Sequence, residues 1–373
     1  MPKFAHIADT HIRNLKYHTE YKEVFQQLYA RLREEKVDYI IHCGDIAHTK
    51  TQISPEFVDL CSDFFRNLAE IAPTYIILGN HDGNLRNFSR LDALTPIVEA
   101  LSIPTLHLAK KSSQIALESP YTLNVLSIFD KENWDLNIDE NKINIALYHG
   151  AVKGAKTDVG YIIEHGDVDI ETLSKFDFAF LGDIHKSNQV LDKEGRIRYA
   201  GSTIQQNHGE TDDKGFLIWE IQGRDDYSVE HVSLKNPKPF KTINLTPKGR
   251  IPRGANVPKG CRLRLVANSN VSLDVLRKAL AVAKTKFKPE ALTFLNRATG
   301  SSQQEEFVDS FHGNLRDITV QEELMKEYLK DYEVEDEILE KVFELNKKYN
   351  SSIEEEEEQL RNVDWRLKSM EWA

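Results

Sequence analysis

The chain has 373 residues, of which 40% are hydrophobic, and a formal net charge of −11. This length predicts two or three domains, and the apolar fraction is large enough to exclude wholesale disorder. Three scattered cysteines give neither a disulfide framework nor a cysteine zinc site, which indicates a reducing compartment. Because no signal peptide and no apolar run of about 20 residues is seen, the sequence predicts a soluble intracellular protein without a membrane partner.

The first hundred residues alternate predicted strands and helices. Strands are predicted at 4–8, 38–43 and 74–78, and helices at 17–36, 54–71 and 91–101. The second helix has a clear start, since Ser54 precedes a proline at the first helical position. This β-α-β-α-β order predicts an α/β fold whose strand ends line one cleft.

The remaining segments predict two further parts. Strands are predicted at 122–129, 143–148 and 176–181, and a closing antiparallel set at 197–200, 216–221 and 229–234. Together with the first strands they predict a two-layer sheet sandwich with helices outside, over 1–236. Pro237 and Pro239 mark a boundary. Beyond it, strands at 240–245, 261–267 and 292–295 and a helix at 272–286 predict a small α/β domain over 237–300. Helices at 320–332 and 336–349 predict a C-terminal helical segment over 301–373.

Charge is distributed unevenly along the chain. Residues 235–298 carry 15 Lys and Arg side chains against two carboxylates, a net charge of +13, whereas 1–234 and 299–373 each carry −12. A compact basic segment in an acidic chain predicts a surface that contacts a phosphate backbone. An ordinary solvated surface is the alternative. The candidate DNA-contacting residues are Lys248, Arg250, Arg253, Lys259, Arg262 and Arg264.

Polar side chains end five of the predicted strands. They are Asp9 with His11, Asp45 with His48, Asn80 with His81 and Asp82, His149, and Asp183 with His185. Each cluster alone is typical of a capped turn or a hydrogen-bonded structural histidine. Together, carboxylate, imidazole and amide donors suit Mn²⁺, Fe or Zn²⁺. Seven such ligands are too many for one ion and about right for two.

These clusters carry a family resemblance. The motifs Asp9-Thr10-His11, Gly44-Asp45-Ile46-Ala47-His48, Gly79-Asn80-His81-Asp82 and His149-Gly150, in this order, resemble the calcineurin-like metallophosphoesterase superfamily. Within it, Tyr199-Ala200-Gly201-Ser202 and Gly209-Glu210 with Lys214-Gly215-Phe216 resemble the SbcD/Mre-type nucleases of DNA double-strand-break repair. The resemblance implies a metallophosphoesterase sandwich, with 237–300 as a DNA-binding capping domain and 301–373 as the segment that binds an ATPase partner.

The resemblance also implies the roles of the site residues. One metal would be held by Asp9, His11, Asp45 and His185, and the second by Asp45, Asn80, His149 and Asp183, so that Asp45 bridges two divalent ions, with Mn²⁺ favoured. His81 and His48 would be catalytic histidines near the scissile phosphate, and Asp82 would orient the His81 imidazole.

One position departs from the family pattern. The family has Gly-His-x-His where this chain has Gly182-Asp183-Ile184-His185. A carboxylate can replace an imidazole at a hard metal ion. Three aspartates and a bridging hydroxide would neutralise two dications, whereas the usual pattern leaves a net positive core. We therefore expect an altered metal preference.

The resemblance implies a function for the whole chain. It is a phosphodiesterase that acts as a 3′→5′ exonuclease on duplex DNA and an endonuclease on single strands, in DNA repair and recombination. The implied partners are DNA, a second copy of the chain, and an SbcC-type ABC ATPase with a coiled coil, gripped by the C-terminal helices. The implied location is the cytoplasm of a bacterial or phage-infected cell, at the nucleoid. Two alternatives stay open: a phosphoprotein phosphatase or cyclic-nucleotide phosphodiesterase on the same fold, and a DNA-end tethering subunit with weak catalysis.

Overall fold

The computed structural model describes residues 2–50, 53–87, 90–297, 340–341 and 343–345. They fall in two compact units, of which the first comprises Met1–Leu292 and Arg297–Thr299. Of the second unit, the described residues are Thr293–Asn296 and the helical residues 340–341 and 343–345. The predicted helix at 320–332 and most of the one at 336–349 lie outside the described residues.

Within the described part of the chain, fifteen strands and five α-helices have defined bounds. The strands are β1 (Lys3–Ile7), β2 (Tyr39–His42), β3 (Thr74–Ile77), β4 (Leu106–Ala109), β5 (Ser113–Ala116), β6 (Tyr121–Leu126), β7 (Ile143–His149), β8 (Phe178–Gly182), β9 (Gln189–Val190), β10 (Ile197–Tyr199), β11 (Lys214–Ile221), β12 (Tyr227–Leu234), β13 (Phe240–Asn244), β14 (Arg262–Ala267) and β15 (Ala291–Asn296). The helices are α1 (His18–Glu35), α2 (Pro55–Ile71), α3 (Thr95–Leu101), α4 (Ile170–Leu173) and α5 (Leu273–Phe287). None of these helices is long and apolar enough to cross a membrane.

Two six-stranded mixed sheets form the body of the first unit, which confirms the predicted α/β sandwich. Their strand orders are β12-β11-β1-β2-β3-β4 and β5-β6-β7-β8-β10-β9. Within them β1, β2 and β3 run parallel, as do β6, β7 and β8. The carboxyl ends of neighbouring parallel strands therefore lie at a common edge, which is where α/β folds place functional side chains.

Alternation along β1 shows how the layers pack. Phe4 lies in a buried cluster with Phe180 and Trp219, between the two sheets. Ala5 and Ile7 point the other way, into the cluster that covers the first sheet with α1 and α2. Successive side chains of a strand face opposite sides, so one strand contributes to both cores. The Phe180 and Trp219 rings stack with centroids 4.7 Å apart.

The predicted closing antiparallel set is wrong in one strand. Strand β10 pairs in parallel with β8 in the second sheet, whereas β11 and β12 pair antiparallel in the first. The Tyr199 hydroxyl holds β10 there, because it donates to the Gly150 carbonyl at 2.7 Å and accepts from the Val152 amide at 2.9 Å. These contacts join residues about fifty positions apart, which local periodicity does not reveal.

The third predicted helix starts later than expected. It is predicted over 91–101, but α3 begins at Thr95, and before it the Asp92 carboxylate accepts from the amides of Leu94 and Thr95. Aspartate side chains commonly close a turn in this way, so the residues before Thr95 form a turn and not helix. The short strands β4, β5 and β9 were not predicted, since runs of two to four residues carry little periodic signal.

The basic segment begins with a parallel pair, β13 and β14, in which Phe240 is opposite Arg262. It is fixed to the sandwich by hydrogen bonds of Gln205 with the backbone of Phe240 and by a bidentate pair between Arg262 and Glu20 of α1. A separate capping domain over 237–300 stays a prediction.

Candidate metal centre

The predicted metal ligands lie where parallel strands end. Asp9 and His11 follow β1, Asp45 follows β2, and Asn80 follows β3. In the second sheet His149 ends β7, while Asp183 and His185 follow β8. The two sheets thus present all seven side chains to one site.

The first ligand group is Asp9, His11 and His185. Their donor atoms lie within 4.8 Å of one another. The Nε2 atoms of His11 and His185 are 3.0 Å apart, and His11 Nε2 is 3.5 Å from Asp45 Oδ2. Two imidazole nitrogens and carboxylate oxygens at this spacing can hold one cation.

The second ligand group is Asn80, His149 and Asp183. His149 Nε2 lies 3.1 Å from Asn80 Oδ1 and 3.8 Å from Asp183 Oδ1. It is also 3.4 Å from Asp45 Oδ1. Asp45 therefore directs one carboxylate oxygen towards each group, which is the arrangement that a bridging carboxylate requires. The ligand assignment itself remains a prediction.

The backbone at these positions is strained. Asp9, His11, Asp45 and Asp183 have φ angles of 50°, 47°, 57° and 99°, in the region that non-glycine residues seldom occupy. Strain of this kind persists where the surrounding structure enforces it, often at functional sites. The Asp45 carboxylate can lie close to the backbone of residue 79 because that residue is glycine: a Cβ there would lie 2.1 Å from Asp45 Oδ1.

Electrostatics show that the site concentrates negative charge. Burial raises the pKa of Asp9 to about 7, although His149 and His185 oppose the shift. Burial alone would lower the pKa of His149, but Asp45, Asp9 and Asp183 outweigh it and raise the pKa. Burial also raises the pKa of Asp183. Such a cluster of buried carboxylates is what divalent cations would balance, so the donor set fits two of them.

The tautomer of His149 also fits a ligand role. Its Nδ1 lies 2.7 Å from the Cys43 carbonyl oxygen, to which an Nδ1–H donates. This hydrogen bond leaves Nε2 facing Asp45 and Asn80, where a cation that displaced the Nε2 proton would be bound by its lone pair, as in ligating histidines.

His185 is held by a buried ionic network that the sequence did not predict. Glu210 Oε1 lies 2.8 Å from His185 Nδ1, and Glu210 Oε2 lies 3.3 Å from Lys214 Nζ. The fully buried Lys214 also pairs with Asp158 at 2.8 Å and donates to the His185 carbonyl at 2.7 Å. Glu210 and Lys214 were noted only as part of the family resemblance, and their motif was the signal available.

The predicted catalytic residues differ in their placement. His48 and His81 lie beside His11, with ring centroids 5.6 and 4.9 Å from it, and the three imidazoles can themselves approach one ion. Burial, together with the charge of Arg13, lowers the pKa of His48 to about 4.

Asp82 does not orient His81, which corrects the prediction. Its carboxylate accepts from the backbone amides of Asp45, Ala47 and Gly79 at 2.8–2.9 Å. His81 is instead oriented by the His48 carbonyl oxygen, 2.7 Å from its Nδ1. Asp82 therefore shapes the loops that carry the site and does not contact the imidazole.

The predicted DNA-contacting residues fall in two sets. Lys248, Arg250, Arg253 and Lys259 are exposed in the loop between β13 and β14. Arg262 is buried, pairs with Glu20 and covers the Tyr17 ring at 4.7 Å, so its role is structural and its assignment to DNA is wrong. Arg264 is partly buried, and burial lowers its pKa.

A cavity of about 590 Å³ opens on the second ligand group. Asn80, His149 and Asp183 form its polar end, and Leu85, Ile128 and Phe129 form an apolar wall. Lys131, Glu132 and Asp167 also line it, so the cavity is negatively charged unless cations occupy the second ligand group.

Residues 2–187 match the family described as calcineurin-like phosphoesterase. The fold, the site and this match place the domain in the calcineurin-like metallophosphoesterase superfamily, as the motifs predicted.

Three relatives refine the class. The chain is 35% identical over 335 residues to "Uncharacterized protein R555" of Acanthamoeba polyphaga mimivirus, covering 82% of this chain but only 24% of that one. It is 23% identical to the SbcD component of the nuclease SbcCD of Staphylococcus epidermidis, covering 65% and 72% of the two chains. It is 24% identical to "DNA double-strand break repair protein Mre11" of Methanocaldococcus jannaschii, covering 73% and 77%. The resemblance to SbcD/Mre-type nucleases is thus confirmed, at low identity.

Proposed function

We propose that this protein hydrolyses phosphodiester bonds of DNA with two divalent cations, Mn²⁺ being favoured. The observation that carries the proposal is the pair of ligand groups joined by Asp45, with two further imidazoles beside them. DNA as the substrate is supported by the SbcD and Mre11 relatives and by the exposed basic side chains between β13 and β14.

The chain's own residues account for binding and proton transfer. When bound, two cations would supply an activated hydroxide and charge stabilisation at the phosphate. The Nδ1–H of His81 donates to the His48 carbonyl, which directs Nε2 into the site. In its doubly protonated form the ring would give the Nε2 proton to a leaving oxygen and keep the Nδ1 proton on the carbonyl. Asn80 and Asp183 close the second group at the mouth of the cavity, where the substrate phosphate would enter.

The wider role follows the same relatives. We propose 3′→5′ exonuclease action on duplex ends and endonuclease action on single strands, in double-strand-break repair. A second copy of the chain and an SbcC-type ATPase are the proposed partners, and the nucleoid is the proposed location.

The test is a nuclease assay with 3′- and 5′-labelled duplex in Mn²⁺ or Mg²⁺, comparing the chain with His81→Ala. We expect manganese-dependent loss of 3′ nucleotides that the variant lacks. Turnover of phosphomonoesters without DNA cleavage would contradict the proposal and support a phosphatase.

A DNA-tethering role is the second candidate, because Asp183 adds a third carboxylate to the site. Its Oδ1 lies 3.8 Å from His149 Nε2, so it increases the negative charge around the second group. The test is Asp183→His, with cation affinity and cleavage measured together. Gain of cleavage in the variant supports tethering in the parent chain, and unchanged affinity and rate would show that position 183 is not a ligand.

A further inference from the structure

A second cavity, of about 630 Å³, borders the site at His48. It shares no lining residue with the cavity at Asn80 and Asp183. Its walls come from the segment after β1 and from the start of α2. A ligand that reached His48 from this cavity would approach the same centre along a different route.

This second cavity is basic. Arg13 and Lys16 line it, and none of its described lining residues carries a carboxylate. Both cations lie over the Tyr17 ring, with Arg13 Cζ 5.3 Å and Lys16 Nζ 5.1 Å from its centroid. The ring holds both side chains without neutralising them, so their charge remains available to an anion.

Two buried nitrogen atoms in this region have no partner among the described residues. They are Arg13 Nε and His48 Nδ1. One guanidinium nitrogen of Arg13 donates to the Gln206 carbonyl, which positions the group but leaves its Nε unpaired. Most buried polar atoms of folded proteins have a partner, so a ligand or water in the cavity would supply what these two lack.

The start of α2 adds a favourable field. This helix has 17 residues, and Ser54 caps it by accepting from the Phe57 amide at 3.2 Å. Ser54 and Phe57 both line the cavity. The positive end of a helix dipole attracts anions, but the Glu56 carboxylate in the first turn offsets part of this field, so Arg13 and Lys16 supply most of the attraction.

We propose that this cavity binds the backbone phosphate next to the scissile phosphate of a DNA strand, through Arg13 and Lys16. The inference rests on the proposed nuclease function and adds the path of the strand: across the metal centre, past His48, into the basic cavity. A backbone phosphate is favoured over a base because the cavity offers two cations, while the Tyr17 ring is already covered by them and the Phe57 ring is buried.

The experiment compares Arg13→Met and Lys16→Met with Lys193→Met, which removes an exposed charge between β9 and β10. Lys16 is exposed, so its variant tests the idea even if Arg13→Met fails to fold. The substrates are an oligonucleotide and bis(p-nitrophenyl) phosphate, a diester without a neighbouring phosphate.

We expect the KM for the oligonucleotide to rise about tenfold in each cavity variant, which corresponds to about 1.4 kcal/mol for one lost phosphate contact. The slope of log affinity against log salt should fall by about one per charge removed. Turnover of bis(p-nitrophenyl) phosphate by Lys16→Met should stay within about twofold, and Lys193→Met should match the parent on both substrates. An equal loss on both substrates would overturn the proposal, because it would reveal a general structural role.

Single methylphosphonate linkages locate the contact. A neutral linkage next to the scissile bond should weaken binding of the oligonucleotide to the parent chain about tenfold. It should not weaken binding to Lys16→Met any further, because that variant already lacks the contact. If inorganic phosphate displaces the oligonucleotide while no methylphosphonate position matters, the cavity is a free-phosphate site and the DNA contact is wrong.

Binding of the labelled oligonucleotide, followed by fluorescence anisotropy, separates this inference from the nuclease proposal. If the parent chain cuts neither substrate, the nuclease function fails. The phosphate site would still be supported if the oligonucleotide bound Lys16→Met more weakly than the parent, and if the methylphosphonate oligonucleotide bound the parent more weakly than the unmodified one. Equal affinities in these comparisons would refute the site.

Discussion

The two ligand groups are supported in different ways. In the first, His185 is held by Glu210, which pairs with the buried Lys214 and through it with Asp158. In the second, His149 is held by the Cys43 carbonyl oxygen. His185 of the first group therefore depends on charged side chains distant in the chain, whereas His149 of the second depends on a backbone atom that follows β2 in the other sheet.

This difference determines where each group is vulnerable. A side-chain network can be broken by one substitution, and breaking it leaves buried charges without partners. A backbone acceptor cannot be removed by substitution, so the second group changes only through its own ligands or the neutral residues that position its strands. Substitutions that affect one ligand group and not the other test whether the two groups are supported in these different ways.

The largest effect is expected from Asp45→Asn, because Asp45 contacts both groups. The neutral amide removes the charge shared by His11 and His149, so we expect loss of both bound cations and activity at the level of the metal-free protein. Metal content measured by mass spectrometry, together with the nuclease rate, checks this. Asp59→Asn on the exposed face of α2 is the control. A variant that retained one full equivalent of metal would show that the groups are independent.

Next comes Lys214→Met, which breaks the network of the first group. The change leaves Asp158 and Glu210 buried without their cation, which costs about 3–5 kcal/mol of the free energy of unfolding. Urea unfolding followed by fluorescence measures it. Lys153→Met removes a lysine from an exposed pair with Asp169 and should change the free energy of unfolding by less than about 1 kcal/mol. Equal effects of the two substitutions would mean that the buried network is not needed for stability.

Glu210→Gln should act on one group alone. The amide can still contact His185 but no longer stabilises a charged partner, and such a change lowers metal affinity about 10–100-fold. In a Mn²⁺ titration followed by paramagnetic resonance, we expect one of two binding phases to weaken. His149→Ala should weaken the other phase. If Glu210→Gln weakened both equally, the division into two separately supported groups would fail.

The sequence predicted the site better than it predicted the supports of the site. The residues Asp9, Asp45, Asn80, His149 and His185 could be found because each lies at the end of a strand with a clear apolar run or within three residues after it. Local pattern did not reveal the left-handed φ at Asp9 or Asp45, because that geometry comes from contacts between strands. It also misassigned Asp82, whose three amide partners lie on two different loops.

Two further predictions were wrong because they depended on contacts distant in the sequence: one about a charged residue and one about strand pairing. Arg262 was assigned to DNA from composition, but its carboxylate partner, Glu20, lies 242 positions earlier in the chain. The parallel pairing of β10 depends on Tyr199 reaching Gly150. Both errors concern long-range pairs, which are invisible to periodicity and composition.

The smallest effect is expected for His6, an uncharged side chain of β1 that contacts β8. His6 is fully buried, its Nε2 lies 3.1 Å from the carbonyl of Leu181 in β8, and burial lowers its pKa to about 3. The unfolded chain binds a proton near pH 6.5, whereas the folded chain does not until about pH 3. His6 therefore contributes stability above pH 6.5 that is lost progressively as the pH falls from there towards 3.

Substituting His6→Gln should flatten this acid sensitivity. The slope of the free energy of unfolding against pH should decrease by about 1.4 kcal/mol per pH unit between pH 4.5 and 6, because one fewer proton is taken up on unfolding. Other titrating groups are common to both proteins and cancel in the difference. The exposed His165→Gln should leave the slope unchanged. An unaltered slope in His6→Gln would show that His6 is already protonated in the folded protein. The interpretation that an uncharged His6 contacts β8 would then be wrong.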